Sequence, residues 1–301
     1  MDHVLMIFID GVGIGNEDYQ NNPFFKYPFK TFSNVFGKIP SIKNQVIESN
    51  GSFIFPADAR LGVEGFPQSG TGQTAIFCGV NAPKIVGKHF GPYPYSTLLP
   101  IIQEQNIFKY FLKKNRKVFF ANAYPKPFFD YLKSGKTRLS VTSLSCRFSG
   151  VRLNHATDVK KGKALTAEIT NEKWNQKLGY TLPVIKSETA ARRLLKIAFQ
   201  NSFTLYEYYL TDYIGHGRHE GDIEPALNTL DEFLFTILSE MDRSNTTLLI
   251  CSDHGNVEDL SIKTHSLNPS LTISAGKYGK YLFDTIKDIS QIKKAIIEIS
   301  R

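Results

Sequence analysis

The sequence is poor in the residues that would make it a disulfide-stapled, membrane-spanning or disordered chain. It has three cysteines in 301 residues, Cys78, Cys146 and Cys251, an odd number, widely spaced and without a CxxC pair. A disulfide framework is thereby excluded, and reduced thiols in a cytoplasmic setting are expected. No stretch reaches the roughly 18 consecutive apolar residues that a membrane span needs. The first apolar run, Val4–Ile9, ends at Asp10. It is too short for the core of a secretory signal and has no basic start or small-residue cleavage site. There is one tryptophan, and no internal repeat or low-complexity tract. What is abundant is ordinary core material: 42% hydrophobic and 13% aromatic residues. That is too much for a disordered chain and enough for one large domain, or a domain with an insert.

The net charge of +8 is unevenly spread. Residues 84–200 hold 22 basic and six acidic residues, a local +16, while the rest holds 14 basic and 22 acidic, a local −8. A basic middle between acidic ends is either a solvated surface or an attractor of anions. Zinc-finger spacing and the aromatic signature of RNA-binding sheets are both lacking, so no nucleic acid partner is expected. A membrane partner is not expected either.

Val4–Ile9 (VLMIFI) reads as a buried parallel strand. A helix is expected over about 73–80, another over 98–114, a strand over 117–121 (KVFFA) and a helix over 188–200. Phe203–Leu210 (FTLYEYYL), a helix over 224–241 and Thr246–Cys251 (TTLLIC) make a strand–helix–strand crossover, which implies parallel strands. The fold class is α/β, a mostly parallel sheet with helices on both faces. Residues 1–122 and 187–301 read as a discontinuous core. The Lys-, Ser- and Gly-rich stretch 123–186 reads as a basic cap inserted into it.

Three aspartates follow three of these strands. Asp10 follows VLMIFI, Asp212 follows FTLYEYYL and Asp253 follows TTLLIC. Parallel strands deliver their carboxyl ends to one sheet edge, where ligands bind. Three carboxylates there repel one another unless a cation joins them. Histidines accompany them: His216 in TDYIGHG, His254 in CSDHGN and His265 in THSLNP. Mixed Asp and His ligands suit Mn²⁺ or Zn²⁺ better than Ca²⁺. Six ligands exceed one tetrahedral site and suffice for two neighbouring ions, which can clamp a phosphoryl group. Any one of these residues taken alone is more often a cap or a surface residue; the joint placement points to a metal centre.

The segment 65–83 (GFPQSGTGQTAIFCGVNAP) sets Ser69, Thr71 and Thr74 among small residues ahead of an apolar helical face. A hydroxyl at such a helix start can act as a nucleophile on phosphorus, with the helix dipole stabilising the anion. The local sequence equally suits an ordinary N-cap. Two look-alikes fail. GVGIG at 11–15 lacks the third glycine of a dinucleotide fingerprint, since Asn16 stands there, and Gly65–Gly70 has Thr71 where a phosphate-binding loop needs lysine.

FIDGVGIG, QSGTGQTAIFCGVNAP, TDYIGHG, CSDHGN and THSLNP occur in the order found in the alkaline phosphatase superfamily. Together they resemble most its cofactor-independent phosphoglycerate mutase and phosphopentomutase branch. The resemblance spans the first 83 residues and about the last 100. It implies a metal-dependent phosphoryl-transfer enzyme, phosphatase or phosphomutase, acting on a small phosphorylated substrate through a phosphoserine. It implies Ser69 as the nucleophile, with Thr71 the alternative if the turn is registered differently. Asp10, Ser69, Asp253 and His254 resemble the ligands of one metal, and Asp212, His216 and His265 those of a second. Two divalent ions, Mn²⁺ or Zn²⁺, are the implied cofactors. Departures accompany this. The mutases have histidine four residues after the nucleophile, where this chain has Gln73. The middle is shorter than the phosphoglycerate mutase insert, so its substrate-binding residues have no counterpart here; Arg147, Arg152, Lys160, Lys161 and Lys163 are the basic residues a cap would offer. No arginine completes a sulfatase motif in 65–83. A metal-loaded binding protein for phosphate esters or nucleotides, with little turnover, is the alternative that Gln73 suggests.

Overall fold

The computed structural model describes residues 2–301. One seven-stranded sheet runs through it. Its strands are β1 (His3–Ile9), β2 (Ile47–Ser49), β3 (Ser52–Ala57), β4 (Val118–Phe120), β5 (Phe203–Tyr208), β6 (Thr246–Cys251) and β7 (Ser270–Gly276). Their order across the sheet is β2-β3-β7-β6-β1-β5-β4. β6, β1, β5 and β4 are mutually parallel. β7 runs antiparallel to β6, β3 to β7 and β2 to β3. The α/β class holds, and the sheet is mixed, with a parallel centre and an antiparallel flank. The β5-to-β6 crossover is a parallel one that passes over β1, which lies between them.

β1 explains the two-sided cover. Successive side chains on a strand point to opposite faces. Leu5, Ile7 and Ile9 enter one apolar cluster, and Val4, Met6 and Phe8 enter the other. Every residue of β1 is buried. On the second face lie α1 (Ser69–Cys78), α2 (Leu99–Gln105), α3 (Ile107–Lys113) and α4 (Val141–Ser149). On the first face lie α5 (Ser187–Ala198) and, after the short α6 (Leu210–Gly215), the long α7 (Glu224–Glu240). Among the described residues no helix is long and apolar enough to cross a membrane.

Three expected elements differ in extent. The helix expected over 98–114 is broken at Asn106, which is extended at φ −65° and ψ 155°. Its buried side chain donates to the Ile102 carbonyl (2.8 Å) and accepts from the Lys109 amide (3.0 Å). One asparagine thus ends α2 and caps α3. The strand expected to Leu210 stops at Tyr208, and the chain turns into α6, so Asp212 sits in a first helical turn. The helix expected from 73 begins at Ser69. Gly70 and Gly72 lie inside it because the backbone there is crowded. A Cβ at Gly70 would stand 2.2 Å from the Tyr93 carbonyl oxygen, and one at Gly72 would stand 2.9 Å from the Asp253 Cβ.

The 123–186 segment is sewn to both faces. Leu139, Val141, Leu144, Cys146 and Leu153 join the cluster on the α1 face, while Leu165 and Ile169 join the other. Ala123, Val159, Ala164, Trp174 and Leu182 form a small cluster of its own. Arg193 of α5 donates to the Val159 and Ala164 carbonyls.

Asn106→Ala removes a helix cap and strands the Ile102 carbonyl, and should lower stability by about 1–3 kcal/mol. An unchanged denaturant midpoint would contradict the two-helix account of 99–113.

Candidate metal centre and nucleophile

The parallel strands end level with one another: Ile9 pairs with Tyr208 and Phe8 with Cys251. Asp10, α6 and the 252–269 loop therefore meet at one edge. The Thr211 hydroxyl donates to the Asp10 carbonyl at 2.6 Å and ties α6 to the end of β1. The Ser252 hydroxyl donates to the His254 carbonyl at 3.0 Å and accepts from the Val12 amide at 2.8 Å. Gly11, at φ +68°, lets the chain turn there; any Cβ would stand 2.8 Å from an Asp212 carboxylate oxygen.

All seven sequence-predicted positions converge. His254 Nε2 lies 3.1 Å from the Ser69 hydroxyl, 3.4 Å from Asp10 Oδ1 and 3.5 Å from Asp253 Oδ2. Asp212 Oδ1 lies 3.4 Å from His216 Nε2 and 3.5 Å from His265 Nε2. The His254 and His265 rings stack at 3.7 Å and join the two groups. The implied partition into two ligand sets is less sharp in space. Asp212 clusters with His216 and His265, and also with Asp10 and His254. It stands between the two sets. Thr71, the alternative nucleophile, is placed elsewhere: its hydroxyl donates to the Gln68 carbonyl (3.1 Å) and accepts from the Phe90 amide (3.2 Å).

The donor set fits divalent cations on three observations. Asp10 Oδ1 and Asp253 Oδ2 are buried without a hydrogen-bond partner. Among the described residues no lysine or arginine forms an ion pair with Asp10, Asp212 or Asp253. The histidines supply the third. The Nδ1 of His216 faces the Lys263 carbonyl (2.9 Å) and that of His265 faces the Pro67 carbonyl (2.6 Å). A carbonyl only accepts, so each Nδ1 carries the hydrogen. The two Nε2 atoms then face each other at 3.1 Å. Two lone pairs at that distance repel unless a proton or a cation lies between them. Backbone carbonyls that fix the tautomer are the usual outer partners of metal-binding imidazoles.

The same crowding sets the electrostatics. Burial, then the charges of Asp253, Asp212 and Glu207, hold the Asp10 carboxyl well above the ordinary carboxylate range. Burial also pushes Asp212 upward. The hydrogen bond that the protonated His265 ring gives in metal-free protein, with His254, Asn256 and His216, outweighs it and brings that carboxyl to about 2. Burial pushes His254 down, which favours the neutral ring.

Residues the motifs did not single out complete the site. Asn256 donates from Nδ2 to Asp212 Oδ1 at 2.7 Å and fixes that carboxylate. Glu258 accepts from the Gly13 amide (2.8 Å), the Asn256 amide (2.7 Å), Asn268 (3.0 Å) and the Ser266 hydroxyl, so it clamps the ligand loop. Both follow CSDH within four residues, and that adjacency was the available signal. Glu207, the one charge in FTLYEYYL, is buried and accepts from Thr142 at 3.2 Å. Gln73 donates to Asp10 Oδ2 at 3.4 Å. Of the basic cap residues, Arg152 is committed to Asp158 at 2.8 Å, and Arg147, Lys160, Lys161 and Lys163 are exposed. The 123–186 stretch reaches the loop after His216 through Lys177, which pairs with Glu220 at 2.8 Å.

Residues 151–291 match the family model described as the Metalloenzyme superfamily. The matched stretch contains Asp212, His216, Asp253, His254 and His265. Solved structures match over nearly the whole chain. The PH0037 protein of Pyrococcus horikoshii is 12% identical with a TM-score of 0.57, over 99% of this chain and 96% of its own. The alkaline phosphatase of the Antarctic bacterium TAB5 is 12% identical with a TM-score of 0.52, over 99% and 98%. This chain has the alkaline phosphatase fold. The C-terminal periplasmic domain of EptC from Escherichia coli is 9% identical with a TM-score of 0.50, over 97% of this chain and 80% of that one. A search of curated protein sequences returns no match.

Burial first of all, with the Asp253 charge adding to it, raises Glu207 to about 7, against the hydrogen bond from Thr142. Unfolded, a glutamate ionises near about 4.3. Between those pH values the unfolded chain holds fewer protons than the fold, so stability falls as pH rises across the window. Glu207→Gln lacks this titration. In metal-free protein the variant should gain on the wild type by up to about 3 kcal/mol between about pH 5 and pH 8. A gap that does not change with pH would contradict the buried, proton-holding Glu207.

Proposed function

We propose that this protein transfers the phosphoryl group of a phosphate monoester to Ser69 and then to water. One observation carries the reading: the Ser69 hydroxyl, in the first turn of α1, lies 3.1 Å from His254 Nε2 within the Asp10–Asp253 carboxylate pair. A hydroxyl so placed sits at a helix N-terminus beside groups that would hold a cation, and that cation would neutralise the negative charge that spreads in phosphoryl transfer.

The ions would be held by Asp10, Asp253 and His254 with Ser69, and by Asp212, His216 and His265, with Asp212 between the sets. Bound there, divalent cations supply Lewis acidity and neutralise charge on the phosphoryl oxygens. The chain's own groups do the rest. His254 Nε2, 3.1 Å from the Ser69 hydroxyl, would serve as a ligand and not as a base, so the Ser69 proton passes to solvent. Ser69 Oγ forms a bond to phosphorus as the ester P–O bond breaks. The departing oxygen keeps that electron pair and takes up a proton. Water then attacks the phosphoserine, phosphate leaves, and Ser69 recovers its hydrogen. The N-terminus of α1 favours negative charge beside Ser69 throughout.

Water is the acceptor in this reading because Gln73 stands where the mutases carry histidine, and Gln73 is engaged with Asp10. A sugar or glycerate hydroxyl as acceptor would make the protein a mutase, as the order of the five motifs suggests. Three free, buried cysteines agree with a reducing compartment.

The test is phosphate release from a panel of phosphomonoesters with Mn²⁺ or Zn²⁺. Ser69→Ala should lower it by at least about a thousandfold, and so should Asp253→Asn. Thr71→Ala should keep a serine-linked phosphate detectable by mass spectrometry of the quenched enzyme. Full release by Ser69→Ala would overturn the phosphoserine route, and full release by Asp253→Asn would overturn the metal assignment.

A further inference from the structure

Beside Ser69 lies a cleft of about 420 Å³ that the phosphoryl chemistry does not use. Its walls come from the loop before α1 and the loop at 88–91: Phe66 and Gln68 on one side, Lys88, Phe90 and Gly91 on the other. It reaches the backbone on the N-terminal side of Ser69. Gln68 precedes Ser69, and a Cβ on Gly91 would stand 3.3 Å from the Ser69 amide nitrogen. Such a volume falls within the range of small-molecule pockets.

The walls are held in place. The Thr71 amide donates to the Phe90 carbonyl at 2.9 Å and the Thr71 hydroxyl accepts from the Phe90 amide, so the 88–91 loop is pinned to the first turn of α1. The Phe90 ring packs edge-on against Tyr95 at 4.9 Å. His89 faces the Val63 carbonyl at 3.2 Å and ties this loop to the opposite one. Phe66 differs. It is 49% exposed, and among the described residues its ring stacks on no other aromatic. A large apolar ring left half bare beside a nucleophile, at the rim of a fixed cleft, is a platform for another flat group. Lys88 and Glu64 both line the cleft, so it offers a cationic donor and a carboxylate acceptor to the polar edges of such a group.

We propose that this cleft is the leaving-group subsite and that it takes a planar, hydrogen-bond-accepting aromatic ring of the nucleobase class, stacked on Phe66. The inference rests on the phosphoryl-transfer reading of Ser69 and adds the class of ester. Stacking on an aromatic side chain is worth enough to be read in kinetics. Small sugar and glycerate esters leave the cleft empty.

Two esters with the same primary alkyl leaving oxygen isolate the ring: adenosine 5′-monophosphate and ribose 5-phosphate. Phosphate release by the Mn²⁺-loaded wild type should favour the nucleotide by about tenfold in kcat/KM. Phe66→Ala should bring the ratio close to one, and Phe66→Trp should restore it. A wild-type ratio near one, or a preference that survives in Phe66→Ala, overturns the subsite while leaving the phosphoryl-transfer reading in place. No phosphate from either ester overturns that reading and the subsite with it.

Discussion

Three carboxylates held at one sheet edge without a lysine or arginine to balance them are the constraint around which the rest of this protein is arranged. One oxygen each of Asp10 and Asp253 is buried and unpartnered, and Asp212 lies between two imidazoles whose Nε2 atoms face each other. Burial of unpaired charge is costly, and a fold tolerates it only where something else joins the cluster. The protein spends polar groups to hold the arrangement rather than to relieve it. Asn256 fixes Asp212, Glu258 gathers the ligand loop, and backbone carbonyls set the tautomers of His216 and His265.

Close backbone approach is the second requirement, and it follows from the first. The carboxylates, the imidazoles and Ser69 come from the end of β1, from α1, from α6 and the residue after it, and from the loop after β6. They meet only because glycines let main chain touch main chain. Gly11 admits Asp212, and Gly72 admits Asp253 against the first turns of α1. This explains why GVGIG, which looks like a dinucleotide-binding loop, is not one, and why α1 opens on SGTG. Their glycines make room for carboxylates and for a helix start.

Much of this was legible in the sequence, and the limits have physical causes. β1, β5 and β6 were readable as apolar runs because buried parallel strands are continuous hydrophobic segments. The antiparallel flank was not, since β2 is three residues long and β3 carries a proline. The break at Asn106 was hidden because an apolar helical period continues across it; only the side chain's bonds to Ile102 and Lys109 reveal a stop and a start. Asp, His and Ser positions were found because each sits at a strand end or a helix start. Asp212 was placed one element early, since strand and short helix read alike in FTLYEYYLTD. The partition of ligands into two separate sets came from resemblance, and space blurs it at Asp212. Glu207 and Asn256 were missed because a single polar residue has no period. The stretch 123–186 stands out by its composition, while its stitching into both faces of the sheet depends on scattered residues such as Leu144 and Ile169.

The central claim is that this cluster exists to hold divalent cations, with Asp212 shared between two positions. Equilibrium titration of the metal-free protein with Mn²⁺ or Zn²⁺ addresses it most directly, without reference to any substrate. The account predicts saturation at about two ions per chain, and a loss of affinity for both in Asp212→Asn. Absence of saturable binding, or an Asp212→Asn variant that binds both ions as the wild type does, would contradict it.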